Sequence, residues 1–367
     1  MEIKDSTVHV YYSFDISNEI KLEKLEKIFG KKPIELEFVY SRLTPKYIKY
    51  SQAPYLINLG KKTRQIAPGE KREFSIDAKL YDFGVVTIRL SMNFKGSLKE
   101  LGLLSNVLVE NEEIEKEAWK QVELIKEEIK DVLVSPIELI TYEEYTIFHI
   151  KEADQKLQMP KLVERYGKEI AAVLRSETEE LSEAQIEDTL KSSISYFVDE
   201  SVFVQWNNAL VISENEILDM MDVLEYANIQ LLELRAYDNI LDKEIDAAYD
   251  ALLELKTRPW YVIAIEPFSP KLDKLEEVRL DITQIIEKVE NTLKIVGDPY
   301  LAKVYRIATE RFRLREWKNN VQEKLGIMET FYDTISSRVQ NSRLLVLEIL
   351  IVLLFVVDIV LYLIGKK

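Results

Sequence analysis

The chain has 367 residues, with 64 acidic against 49 basic side chains and a net charge of −15, a balance that argues against nonspecific nucleic-acid or anionic-lipid binding by the folded part as a whole. It contains no cysteine, which excludes disulfides, thiol catalysis and cysteine-ligated zinc or iron–sulfur centres. Two histidines, ten glycines and no GxGxxG or GxxxxGKS/T pattern leave little for a histidine triad, a histidine metal centre, or a dinucleotide or P-loop site, so no cofactor is expected.

Thr7–Phe14 (TVHVYYSF) is β-branched and aromatic and predicts a strand, whereas Asn18–Gly30 predicts a charged helix with Ile20, Leu22, Leu25 and Ile28 as its apolar set. Leu36–Tyr40, Glu73–Tyr81 and Val85–Phe94 read as strands, the last two joined by a turn at Asp82, Phe83 and Gly84. That DFG triplet lacks the glycine-rich loop, strand lysine and catalytic-loop motif of a kinase. From Glu112 to Leu133 the residues Ile114, Ala118, Val122, Ile125, Ile129 and Val132 step by three and four, the pattern of an amphipathic helix packed on a sheet. Tyr145–Ile150 reads as a strand, and its His149, like His9, reads as a structural side chain rather than a ligand. Leu181–Ser192 reads as a helix whose Ser182 and Gln185 fit a capping box. Tyr196–Trp206 and Ala209–Ile212 read as strands about a turn at Asn207 and Asn208. Residues 1–213 are therefore expected to form an α+β domain.

Beyond it the pattern turns helical. Ser213 and Glu216 fit a second capping box, and helix formers run from Glu214 to Lys256 with hardly a breaker. Asp219, Asp222 and Glu225 lie on this helix; Asp222 and Glu225 share a face, which reads as an ordinary solvated surface. Pro259, Pro267 and Pro270 interrupt the helix around the apolar Trp260–Ile265, making 214–270 a connecting region. Leu275, Val278, Ile282, Ile285, Val289 and Val296 then form one stripe, and Leu314, Trp317, Val321, Met328, Phe331 and Ile335 form another, on either side of a turn at Gly297, Asp298 and Pro299. Residues 271–343 read as a helical hairpin or coiled-coil stalk, its second stripe making contacts within one chain or between copies.

Leu344–Ile364 holds twenty-one residues, nineteen of them apolar or aromatic, and as a helix spans roughly the 30 Å of bilayer hydrocarbon. It predicts a single transmembrane helix, flanked by Arg343 and by Lys366 and Lys367, and a tail-anchored protein with its N-terminal domain in the cytoplasm. Two acids interrupt it. Glu348 lies about a turn inside one boundary, while Asp358 lies about 6 Å from the midpoint, where it either hydrogen-bonds a neighbouring helix or is tolerated in a greasy anchor.

Leu224–Tyr249 (LEYANIQLLELRAYDNILDKEIDAAY), Arg311–Tyr332 (RFRLREWKNNVQEKLGIMETFY), Arg343, the Leu347-Glu348 pair and Asp358 together resemble the required-for-meiotic-nuclear-division family over roughly the last 170 residues. The matching positions are Trp317, Lys324, Leu325, Leu347, Glu348 and Asp358, and Asp82–Val86 (DFGVV) echoes a glycine-containing strand upstream. Eukaryotic members look like mitochondrial inner-membrane proteins that support organellar translation, with no established catalytic residues. The acidic N-terminus here departs from a transit peptide, so the resemblance implies a prokaryotic, plasma-membrane relative.

The expected function is a non-enzymatic scaffold, homo-oligomeric in the membrane, that recruits unidentified protein partners to its head. Two alternatives stand beside it: a channel or proton path in which Asp358 from several chains lines a pore, and a carboxylate-based or metal-dependent hydrolase drawing on acids such as Asp222 and Glu225.

Overall fold

The computed structural model describes residues 1–29, 48–50, 53–137, 141–156, 158–215, 217–265, 280, 293–295 and 299–364. In chain order its strands are β1 (Glu2–Asp15), β2 (Ser17–Ile20), β3 (Ile48–Tyr50), β4 (Tyr55–Ala67), β5 (Glu70–Leu80), β6 (Val85–Ser97), β7 (Leu133–Pro136), β8 (Tyr142–Ala153), β9 (Ser193–Ile194), β10 (Ser201–Val204), β11 (Asn208–Ile212) and β12 (Leu293–Ile295). The helices are α1 (Leu25–Phe29), α2 (Leu98–Leu108), α3 (Glu112–Glu128), α4 (Met159–Arg175), α5 (Glu183–Lys191), α6 (Leu218–Thr257), α7 (Trp260–Ile265), α8 (Pro299–Arg311) and α9 (Leu314–Ile364). The chain divides into two compact units, Met1–Ala236 with Ile285–Glu316, and Tyr237–Gln284 with Trp317–Lys367.

The first unit is α+β. Its eight-stranded sheet runs β4-β5-β6-β1-β8-β11-β10-β9, antiparallel except where β11 lies parallel to β8. β1 is the fourth of the eight strands, and from Val10 to Asp15 it is buried on both faces. Val8, Val10, Tyr12 and Phe14 point into an apolar core with α2, α3 and α4, while Tyr11, Ser13 and Asp15 point to the opposite face. α2 starts where Ser97 and Glu100 cap each other: the Ser97 hydroxyl accepts from Glu100 N at 3.2 Å, and the Glu100 carboxylate accepts from Ser97 N at 2.7 Å. α3 turns the expected Ile114, Ala118, Val122 and Ile125 inward. The β5–β6 turn is also as expected, and it requires glycine. Gly84 has φ +97, and a Cβ there would stand 1.5 Å from the Ser17 carbonyl oxygen.

Several elements differ from their sequence patterns for local reasons. Asn18–Gly30 is not one helix: Ile16 N and Ile20 N donate to the carbonyls of Gly84 and Asp82, and Glu19 and Ile20 pair with Val134 and Leu133 of β7. Only a short 3-10 turn and α1 remain helical, with Leu22 and Leu25 still turned inward. The strand expected from Tyr196 begins at Ser201, because the preceding residues fold into a loop. α6 begins at Leu218 rather than near Glu214; Ser213 Oγ instead accepts from Asn215 N in a tight turn. The helix expected to reach Val296 gives way to β12, whose backbone at Leu293 and Ile295 pairs with Tyr50 and Ile48 of β3. Leu36–Tyr40, Glu216, Pro267, Pro270, the stripe residues Leu275, Val278, Ile282, Ile285, Val289 and Val296, the Gly297-Asp298 pair, and Lys366 and Lys367 lie outside the described residues.

The second unit is helical. Along α9, Val321, Met328, Ile335 and Ser342 are buried at intervals of seven. Ile335 and Val339 pack with Ala251 and Leu255 of α6 and Ile263 of α7. Lys324 Nζ lies 2.7 Å from Asp238 and 2.6 Å from Asp242, successive turns of α6, and the Phe331 ring meets Tyr249 edge-on at 6.4 Å. The described partners of this stalk arm are therefore α6 and α7. α9 ends in the apolar segment from Leu344, whose side chains are almost all exposed.

Candidate functional site

The face of the sheet opposite α2, α3 and α4 is buried and polar. Strand register sets its side chains in rows: Lys79, Thr87, Ser13 and Glu143 form one, Asp77, Arg89, Tyr11 and Tyr145 the next, and Ser75, Ser91, His9 and Ile147 a third. Within the layer Ser13 Oγ and Thr87 Oγ1 share a hydrogen bond of 3.0 Å, Arg89 donates to Asp77 at 3.0 Å, and His9 Nδ1 meets Ser91 Oγ at 2.8 Å. His149 donates from Nε2 to the Ser213 carbonyl at 3.0 Å.

The first half of α6 supplies the opposing charges. Lys79 Nζ donates to Asp222 Oδ1 and Glu225 Oε2, both at 2.6 Å, and the Tyr81 hydroxyl donates to Glu225 Oε1 at 2.8 Å. Arg235 closes the arrangement with a salt bridge to Glu143. Asp222 and Glu225 are thus not on a solvated helix face: both are buried, and their three-residue spacing aims them at one strand lysine. Lys79 itself carried a weak signal, a lysine between the apolar Ala78 and Leu80 near the end of β5, two residues before Tyr81. Nothing local distinguishes such a lysine from one at a sheet edge; only the topology places β5 beneath α6.

Burial dominates the electrostatics. It pulls the Lys79 ammonium down, but Asp222 and then Glu225 outweigh it and hold the pKa above its usual value. The Asp222 carboxyl is raised by burial, against the pull of Lys79. Asp15 is held well above the usual carboxylate range by burial and by Glu233. Burial also pushes Glu143 up to about 7, opposed by Arg235. His9 is held well below its usual value by burial and then by the positive charge of Arg89. Among the described residues Tyr11 Oη, Arg89 Nε and the Asn228 side-chain amide have no hydrogen-bond partner, and no cluster of three or more His, Asp or Glu could hold a metal ion. Desolvated charges satisfied in one arrangement fix the rotation and register of a helix, at little net gain in stability.

The residues singled out at the C-terminal end fall into two groups. Leu314 is buried in the first unit; Val321, Met328 and Ile335 are buried and Trp317 and Phe331 half-buried in the second. Arg343, Glu348 and Asp358 are exposed, all on α9, a helix that is long and apolar enough to cross a membrane and whose most apolar stretch is not buried at all. Glu348 and Asp358 stand about 15 Å apart along the axis and some 80° around it, so they do not meet within one helix.

A family model described as "Uncharacterized protein MJ0711, N-terminal domain" matches residues 5–218, a span that holds the sheet and α2 to α5 and stops at the first residue of α6. Uncharacterized protein MJ0711 of Methanocaldococcus jannaschii is 26% identical over 249 residues, 65% of this chain and 72% of that protein. No solved structure matches the chain. Because the family domain accounts for more than half of the 367 residues, the chain belongs to the MJ0711 family.

Proposed function

We propose that the protein is a homo-oligomeric membrane scaffold, anchored through residues 344–364, that displays its α+β head to protein partners on the cytoplasmic side and performs no catalysis itself. The observation that carries this reading is the exposure of the apolar end of α9. Eighteen of its nineteen apolar or aromatic side chains stand in solvent, with Val346 half-buried, where a core helix of comparable length would hide one face. Inserting them contributes about −6 to −11 kcal/mol, against about +3 for a central Asp358. The order of the chain, head before span, supports a cytoplasmic head. Asp358 supports association, because parallel copies bring this carboxyl to the same depth, where two can share a proton. The capture of Asp222 and Glu225 by Lys79 supports a role without catalysis, since these acids are not available to a substrate.

The resemblance of the C-terminal residues to the required-for-meiotic-nuclear-division family extends the reading to support of translation at the membrane. Co-sedimentation of ribosomes with membranes that carry or lack the protein tests that extension. The anchor is tested by deleting residues 344–367. The full chain is expected to resist alkaline carbonate extraction and the deleted one to leave with the soluble fraction; retention of the deleted chain on membranes at high salt would overturn the anchor. For the oligomer, Asp358→Leu is expected to lower the mass of the detergent-extracted particle, and an unchanged mass would remove Asp358 from the contact.

A further inference from the structure

Outside residues 344–364, the longest run of exposed large apolar side chains among the described residues is Tyr196-Phe197-Val198, at 64%, 52% and 68% exposure. It forms the tip of the hairpin between β9 and β10. The tip is ordered from both sides. Ser195 Oγ lies 2.6 Å from the Phe197 carbonyl oxygen and 2.7 Å from that of Glu200, and Glu200 N donates to the Phe197 carbonyl at 3.3 Å. The Tyr196 ring lies 4.8 Å from Phe197, edge-on, and 5.1 Å from Tyr300 of α8, whose hydroxyl donates to the Glu200 carboxylate. The sequence thus spends local hydrogen bonds on holding three apolar side chains outward. A preorganised apolar projection of this kind is what an interface anchor needs, because the ordering entropy is met before the partner arrives.

Charge selects the occupant. The chain carries −15 overall, and residues 177–200 contain eight acidic side chains against the single Lys191; Lys168 pairs with Glu180, Lys191 with Glu187, and Arg175 and Arg311 with Asp188, which leaves the segment net acidic. Asp199 is exposed directly beside Val198, and Glu183 and Glu187 are exposed on α5, which leads into β9. A hairpin that inserts in a bilayer surface carries lysine and arginine beside its aromatic tip; here the charged residue adjoining the tip is Asp199, of the opposite sign. An acidic frame around an apolar tip steers and holds a basic surface with an apolar pocket.

We propose that the β9–β10 hairpin tip, Tyr196-Phe197-Val198 with Asp199, is the docking element through which the head binds a basic polypeptide partner. This rests on the scaffold reading above and names the chemistry of the partner.

The test uses the full chain in phosphatidylcholine nanodiscs and a fluorescent synthetic peptide of lysine and leucine. The peptide is expected to bind, to slow hydrogen exchange across Ser193–Val204, and to lose about tenfold or more in affinity with Phe197→Ser/Val198→Ser. Asp199→Asn is expected to flatten the dependence of affinity on salt. Because the chain has no cysteine, Val198→Cys gives a second reporter: the free thiol variant is expected to bind the peptide, and a bulky maleimide on it to block binding. Equal affinity of wild type, the double serine variant and the maleimide-blocked chain would overturn the proposal. So would phosphatidylglycerol vesicles that slow hairpin exchange as much as the peptide does, since the occupant would then be a membrane. Neither result touches carbonate extraction or particle mass, so failure here is separable from failure of the anchor or the oligomer.

Discussion

Lys79 Nζ lies 2.6 Å from Asp222 Oδ1, although 143 positions separate the two residues. The contact joins β5 to the second turn of α6, and ten positions beyond Glu225 the same helix makes a second ionic contact, Arg235 to Glu143 of β8. An apolar helix on an apolar sheet face can slide or roll at small cost. Two ionic contacts spaced along one helix permit a single rotation and a single axial position.

Replacing Lys79 by Met is therefore expected to destabilise the head far more than loss of a surface charge would. Asp222 and Glu225 would face each other in burial without the ammonium that both accept from, a loss of about 3–5 kcal/mol. The triple variant K79M/D222N/E225Q is expected to recover most of it, because neutral amides replace the stranded carboxylates. Urea unfolding of the three proteins decides the matter, and a Lys79→Met protein as stable as wild type would remove the ionic lock from the account.

Stability should fall as pH rises through the weakly acidic range. Glu144 is raised to about 7, chiefly by burial, with the Tyr12 hydroxyl lowering it and Glu115 and Glu110 raising it; Glu143 is raised to a similar value. For an acid whose folded pKa is raised, the folded state binds the extra proton, so its full stability holds below the unfolded pKa of about 4.3 and declines up to about 7. Glu144→Gln removes one such group. Its melting temperature is expected to match wild type near pH 4 and to exceed it above pH 7, by an amount equivalent to at most ~4 kcal/mol. Parallel curves across that range would show that Glu144 does not titrate within it.

Two glycines with similar backbone angles should differ sharply on mutation. Gly60, at φ +81, has nothing within 4 Å of the point where a Cβ would stand, whereas Gly84, at φ +97, would place its Cβ against the Ser17 carbonyl. Gly60→Ala meets only the conformational cost, ~1 kcal/mol. Gly84→Ala adds a clash with backbone that is itself tied to β7, and is expected to cost ~3 kcal/mol or more or to prevent folding. Comparable melting temperatures for the two variants would contradict the placement of Ser17 against the turn.

Much of this fold was legible in periodicity. Ile114, Ala118, Val122 and Ile125 face inward as their spacing implies, and Leu344–Ile364 stands out by length and apolarity alone. What periodicity missed depended on long-range partners. Ile20 looks helical beside Leu25 and Ile28, but the carbonyls of Asp82 and Gly84 claim its segment. Asp222 and Glu225 have the spacing of a solvated helix face, and only the sheet order that sets β5 under α6 reveals them as partners of Lys79. Tyr196-Phe197-Val198 reads as strand by composition, and the Ser195 hydroxyl makes it a loop. Local pattern carries the two-residue and 3.6-residue periods; it does not carry which polar groups find each other across the chain.

The stalk and the anchor should respond independently. Ile335 is buried against Ala251, Leu255, Ile263 and Val339, so Ile335→Ala is expected to cost about 2–4 kcal/mol through lost burial and a residual cavity. Ile327, on the same helix but 41% exposed, should tolerate Ala within about 0.5 kcal/mol. Hydrogen exchange along residues 237–257 of α6 is expected to quicken in Ile335→Ala and to stay unchanged in Ile327→Ala. Membrane retention should be the same in both, since the nineteen apolar side chains that carry insertion begin nine residues further on. Were Ile335→Ala instead to release the protein from membranes while leaving α6 protected, the buried stripe of α9 would belong to the anchor rather than to a helical pair.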